Sequence, residues 1–214
     1  MKITKFGHCC MLVEVGKTRV LLDPGNYNEA PDVEEIDALL LTHEHADHCH
    51  IESVKTVLEK NPRMRVITHQ GVGKILDDAG IPYELIGDGD RTDVSGVSVQ
   101  SFGSTHACIH DDLPPVQNTG FLLDEKFFYP GDALHDPGKL VEILALPVAG
   151  PWVKLGEAIE YAKAIKPKFV FPVHDGMLRQ SDPYFTPTRR IPKLLLEPLG
   201  IEYIDMTEGS VHEF

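Results

Sequence analysis

The chain has 214 residues, 42% hydrophobic and 25% charged, a balance that suits a folded globular protein with a sizeable core. Its formal net charge of −13 argues against nucleic acid as the main partner, because phosphate binding needs a basic face. No apolar run reaches membrane-spanning length and the N-terminal residues lack the apolar core of a signal peptide, so the expectation is a cytoplasmic protein with no membrane partner.

In chain order, residues 2–6 and 9–15 read as strands separated by His8. Thr18 to Leu22 is a β-branched and aliphatic strand that stops at the turn signal Asp23-Pro24-Gly25. Residues 26–35 are polar loop. Ala38 to Leu41 is a short, continuous apolar run, as in a fully buried strand, and helical spacing resumes near 51–60. Arg65 to Thr68 is a strand, followed by an amphipathic helix carrying Val72, Ile75, Leu76 and Ala79. Strands are expected at 83–86 and 94–102, then a loop over 107–117 placed to contact substrate. A hairpin is expected at 119–123 and 126–129, a buried strand at 143–148, a helix at 155–165 and a strand at 168–173. A helix at 191–196 and a strand at 201–206 end the chain. No linker divides it, so residues 1–214 are expected to form one domain.

The most informative stretch is Thr42-His43-Glu44-His45-Ala46-Asp47-His48, where a buried strand runs into four metal-type ligands within six residues. His43 and His45 are two apart, so in extended chain their rings point the same way and can share a cation. Asp47 and His48 are adjacent and sit at the turn into a helix, which directs that pair to a second cation. Other predicted strands end at His69, His106 and His174, and another in Gly131-Asp132. Five strand ends of this kind point to one sheet edge and one shared site, and their even spacing hints at an internal duplication.

Taken together, H-x-H-x-D-H at His43, His45, Asp47 and His48, then His106, Gly131-Asp132 and His174, resemble the metallo-β-lactamase superfamily. Gly7-His8, Leu21-Leu22-Asp23-Pro24, Tyr129-Pro130-Gly131-Asp132 and the stretch from Lys166 to His174 resemble its ascorbate-6-phosphate lactonase-like branch. The resemblance implies an α+β fold, a four-layer αββα sandwich with metals at one edge of the two sheets. It implies a first metal held by His43, His45 and His106, a second by Asp47, His48 and His174, and Asp132 as the bridge. The cofactors would be two divalent ions, Zn2+ first, with Mn2+ or Fe2+ also compatible with imidazole and carboxylate donors.

Such a pair of ions can share a hydroxide and lower its pKa toward neutrality. The expected reaction is hydrolysis of an ester, lactone or phosphodiester in a small, anionic substrate. Asp47 would orient the hydroxide or take its proton, and Asp132 would hold the spacing. No serine sits in G-x-S-x-G and no cysteine has an evident activating histidine, so a side-chain nucleophile is not expected. Asp23 is expected to brace a ligand histidine, and His8 to face the site and contact substrate. Lys154, just after the turn following residue 148, is the candidate anchor for a remote anionic group, with Arg189 and Arg190 as rivals. The alternatives are a mononuclear iron enzyme like the persulfide dioxygenases, or a non-catalytic metal-dependent sensor. Cys9, Cys10, Cys49 and Cys108 show no Cys-x-x-Cys spacing and no disulfide framework. Roles for Cys49, Cys108, His50, His69, His110 and His135, the substrate's identity and any homo-oligomer are not legible at this level.

Overall fold

The computed structural model describes residues 1–178 and 187–214. The first half runs β1 (Lys2–Gly7), β2 (Cys10–Val15), β3 (Thr18–Leu22), β4 (Ala38–Leu40), α1 (Ile51–Lys60), β5 (Arg65–Thr68), α2 (Gln70–Asp78) and β6 (Glu84–Leu85). The second runs β7 (Arg91–Val94), β8 (Val97–Phe102), β9 (Gly120–Leu123), β10 (Phe127–Tyr129), β11 (Ile143–Pro147), α3 (Leu155–Ile165), β12 (Phe169–Val173), α4 (Pro187–Leu196) and β13 (Glu202–Tyr203). A last strand, β14 (Val211–Glu213), returns to pair antiparallel with β1.

Two mixed sheets result, in the orders β14-β1-β2-β3-β4-β5-β6 and β13-β12-β11-β10-β9-β8-β7. Side-chain alternation explains how they stack. Val20 and Leu22 of β3, Ala38 and Leu40 of β4, and Ile143 and Ala145 of β11 point into the layer shared by both sheets, with Phe121, Phe127 and Phe171. Their neighbours Leu21 and Leu39 point outward against Val54, Val57, Val72 and Leu76 of α1 and α2. On the other sheet, Leu144, Leu146 and Val170 meet Ala158, Ala162 and Leu196 of α3 and α4. Central strands are thus covered on both faces, which is why they read as unbroken apolar runs. The chain is an α+β sandwich of helix, sheet, sheet and helix layers.

The two sheets share one wiring. β1 to β6 pair in order, twice antiparallel and then three times parallel; β8 to β13 repeat that pattern, with helices in the corresponding crossovers. The edge strands β14 and β7 each pair antiparallel with the first strand of a repeat. In both repeats the last parallel strands and the turns after the third strand (Asp23, Asp132) converge on one edge.

Some predicted boundaries differ. The strand expected at 94–102 is a hairpin, β7 and β8, turning at Ser95 and Gly96, both with positive φ (50° and 89°). Two left-handed residues give a turn whose twist matches a two-residue hairpin. The helix expected at 191–196 covers Pro187–Leu196, and the strand expected at 201–206 pairs over Glu202–Tyr203.

Candidate metal centre

His43 and His45 follow β4, His69 follows β5, His174 follows β12, and Asp132 lies three residues beyond β10. The turns at these strand ends hold tight approaches. Asp132 follows Gly131, whose φ is +65°; a Cβ there would meet Asn118 Oδ1 at 2.4 Å, the atom that accepts from Asp132 N–H. A Cβ on Gly25 would meet the Asp47 carbonyl oxygen at 1.8 Å, so the loop after β3 can press on the ligand loop only as glycine.

The seven ligand-type residues singled out in the sequence come together. One donor from each of His43, His45, His106 and Asp132 lies within 4.8 Å of the other three, and a second such group joins Asp47, His48, His174 and His8. Asp132 stands between them: its Oδ1 is 3.2 Å from His48 Nε2, and its Oδ2 is 2.9 Å from His174 Nε2 and 3.4 Å from His106 Nε2. Several of these atoms are buried without a hydrogen-bond partner, namely His48 Nε2, His106 Nε2, His174 Nε2 and Asp132 Oδ1. Buried polar atoms facing one another unsatisfied are costly, and imidazole nitrogens with a carboxylate oxygen fit a divalent cation.

The rings are held from behind. Asp23, fully buried, accepts from Thr42 N–H (2.8 Å), the Thr42 hydroxyl (2.6 Å), the Tyr129 hydroxyl (2.8 Å) and His48 Nδ1 (2.8 Å). That bond places the His48 proton on Nδ1 and turns Nε2 into the centre. His106 Nδ1 donates to the Ala107 carbonyl (2.6 Å) and leaves its Nε2 free. Trp152 Nε1–H donates to Asp132 Oδ2 at 2.8 Å. Lys5, wholly buried in β1, holds Asp175 beside His174 with a 2.7 Å ion pair.

Charge follows from this crowding. Burial opposes ionisation of Asp132, but His48, His106 and His174 outweigh it and hold the carboxyl well below the usual carboxylate range. Burial likewise opposes ionisation of Asp47, but the His8 hydrogen bond and the neighbouring His48 and His174 bring it down to about 2. Burial and the neighbouring His48 keep His43 well below an ordinary imidazole. His48 goes the other way: burial opposes its proton, and the carboxylates of Asp132 and Asp23 overcome it.

His8 differs from its expected role. Gly176 N–H donates to its Nδ1 (3.1 Å), so Nε2 carries the proton and points at Asp47 Oδ2, 3.2 Å away. Tyr27 stacks over the ring at 4.5 Å, and His8 does not line the cleft above the centre. Its geometry is that of a residue positioning Asp47, not of a substrate contact. Lys154 is also elsewhere. Its side chain is 86% exposed and faces Glu157, whose carboxylate accepts from the Lys154 N–H at the start of α3. Solvation and the neighbouring Glu157 carboxylate account for that lysine. Arg189 pairs with Asp205 and Arg190 is exposed on α4; neither lines the cleft.

The remaining polar residues resolve simply. His69 uses both nitrogens, accepting from Gly71 N–H and donating to the Thr42 carbonyl, and so braces the ligand strand. His50 bonds Ser53, His110 caps an exposed turn at Asp112, and His135 packs against Gly103. Cys49 is buried and its thiol pushed up to about 12, while Cys108 is exposed. Cys9, buried beneath the centre near His48 and Asp132, was not singled out by spacing, and neither was Trp152 as a partner of Asp132. Their contacts join residues far apart in sequence, which no local pattern reports.

Histidine and aspartate donors at the edge of a paired-sheet sandwich are the arrangement of the metallo-β-lactamase superfamily. Residues 2–174 match the family described as "Beta-lactamase superfamily domain", and the chain belongs to it. It is 34% identical over 184 residues to Protein Rv0786c of Mycobacterium tuberculosis, covering 83% of this chain and 85% of that one. It is 28% identical over 193 residues to the UPF0173 metal-dependent hydrolase Ta0764 of Thermoplasma acidophilum, covering 81% and 83%. Igni18, a metallo hydrolase of Ignicoccus hospitalis, shares the fold with a TM-score of 0.76 and 20% identity over 100% of this chain and 98% of that one. This protein is a metallo-hydrolase of the superfamily. Among the described residues, no helix is long and apolar enough to cross a membrane.

Proposed function

We propose that the protein hydrolyses an ester, lactone or phosphodiester bond of a small molecule, using two divalent ions, zinc first. The observation that carries this reading is the set of buried, unpartnered donors of His48, His106, His174 and Asp132 facing one another across Asp132. In this reading His43, His45 and His106 would hold one ion and Asp47, His48 and His174 the other, with Asp132 available to either set. When bound, the ions supply Lewis acidity and bring a water's pKa toward neutrality.

The chain's own groups do the rest. His8 fixes one oxygen of Asp47, leaving the other to orient the attacking water and take its proton. Trp152 pins Asp132 from the cleft side, and Asp23 keeps His48 in its ligating tautomer. No thiol competes as nucleophile at the centre: burial keeps Cys9 and Cys49 protonated.

Metal analysis tests the reading. Fully loaded protein should hold two ions per chain and His174→Ala one, with ester or lactone hydrolysis lost in the variant. Saturation at one ion, unchanged by His174→Ala and accompanied by oxygen uptake on iron, would replace it with a mononuclear oxygenase.

A further inference from the structure

The cleft above the centre, of about 320 Å3, has the ligand residues His45, Asp47, His106, Asp132 and His174 as its floor. Its walls are Asn26, Tyr27, Ile109, Pro151, Trp152 and Met177, and among the described residues their polar groups are the Asn26 amide, the Tyr27 hydroxyl and the Trp152 N–H. Behind Ile109 a second hollow of about 190 Å3 opens from the same floor at His45 and His106. Ala107, Leu113, Pro114, Pro115 and Val116 line it. Among the described residues, neither hollow is lined by a lysine or arginine. The loop that forms the second hollow carries Asp111 and Asp112, both exposed, so a remote anion there meets repulsion and, among the described residues, no lining lysine or arginine.

The rim is unusually apolar for an open surface. Tyr27, Ile109, Leu113 and Met177 are 48%, 40%, 56% and 41% exposed, and all four surround the centre. Apolar side chains gathered around a polar floor are the usual sign of a ligand's resting place. Size is informative too: an apolar cavity of about 150 Å3 takes up benzene.

We propose that the substrate carries an uncharged apolar group of about phenyl size beside the hydrolysed bond, seated in the hollow of Ile109, Leu113, Pro114 and Val116. This rests on the hydrolase reading for the bond, but the apolar seat is testable without turnover. Trp152 is the chain's single tryptophan and it lines the cleft, so its fluorescence reports occupancy.

The probes are two non-hydrolysable ketones, 4-phenylbutan-2-one and the anionic 5-oxohexanoate, titrated against the metal-loaded protein. The phenyl ketone should bind about tenfold tighter or better, and Leu113→Glu, at an exposed position, should remove that preference with metal content unchanged. Equal or tighter binding of 5-oxohexanoate, or a preference untouched by Leu113→Glu, would overturn the proposal. Hydrolysis of methyl 3-phenylpropanoate and monomethyl succinate, followed by proton release, separates the two readings. A ketone preference with neither ester nor any lactone or phosphodiester cleaved would sink the hydrolase assignment and leave the apolar seat standing. Equal turnover of both esters would sink the apolar seat alone.

Discussion

Four donors meet on the Asp23 carboxylate, and one of them is the histidine whose other nitrogen faces Asp132. Removing such a brace from a ligand histidine weakens metal binding about 10- to 100-fold. Asp23→Ala is therefore expected to lose metal affinity in that range in chelator competition, with Tyr129→Phe, which keeps three of the four donors, losing less. Three residues here also hold left-handed backbone: His8 (φ 45°), Asp23 (φ 41°) and His174 (φ 59°). Each conformation is uphill for an L residue by about 1–2 kcal/mol, and strain concentrated at a site marks geometry imposed by its surroundings. Part of the surroundings is the buried Lys5–Asp175 pair next to His174. Lys5→Met leaves Asp175 buried and unpaired, and should lower unfolding free energy by about 3–5 kcal/mol in denaturant titrations. The ligand residues themselves were legible because their spacing is short and local. The braces were legible only in part. Asp23 announced itself by ending a strand before proline, while Tyr129 reaches it from 106 residues away.

At the level of elements, interior strands were readable and edge strands only in part: those at 83–86 and 201–206 were expected, β7 and β14 were not. β3, β4, β11 and β12 are buried on both faces, so their composition alone declares them. Both residues of β6 are exposed, and the missed β14 is Val-His-Glu; a strand like β14 exists because a neighbour offers hydrogen bonds, which composition does not record. β6 is also held by a two-pronged ion pair, Arg65 Nε and Nη2 each 2.7 Å from a Glu84 oxygen. Arg65 holds the Glu84 carboxyl below its ordinary value of 4.5. A carboxyl whose pKa is depressed by folding stabilises above its unfolded pKa, and loses that contribution as pH falls through the folded one. The pair is half solvated, so its worth is about 0.2–1 kcal/mol. Glu84→Gln should thus lower the urea midpoint slightly near neutrality. The gap to the parent should close once pH drops below the carboxylate range; a gap that persists in acid would assign the effect to packing.

The whole molecule is two copies of one wiring facing each other, and this explains both the hint of duplication in the sequence and its faintness. The repeats kept their pairing order but diverged at equivalent strand ends. His69 and His174 each follow the second parallel strand after a crossover helix, yet His69 spends both nitrogens on backbone while His174 leaves Nε2 open in the centre. At this one pair of strand ends, the first copy supplies a brace and the second a ligand-type nitrogen.

One further contact completes the ring. The Met1 ammonium donates to the Phe214 carbonyl (3.0 Å), and Phe214 N–H to the Met1 carbonyl (2.8 Å), so the passage from β14 to β1 mirrors the hairpin from β7 to β8. The seam between β14 and β1 is then interchangeable with its counterpart between β7 and β8. A permuted gene that joins Phe214 to Met1 through a short glycine linker and opens between Ser95 and Gly96 should give a protein of the same far-ultraviolet dichroism and metal stoichiometry. Closing distant contacts into local ones at one seam and opening them at the other leaves the average loop to be closed nearly unchanged, so refolding should slow by less than about tenfold. A permutant that folds but cannot hold metal would mean that the open seam beside β1 matters to the centre.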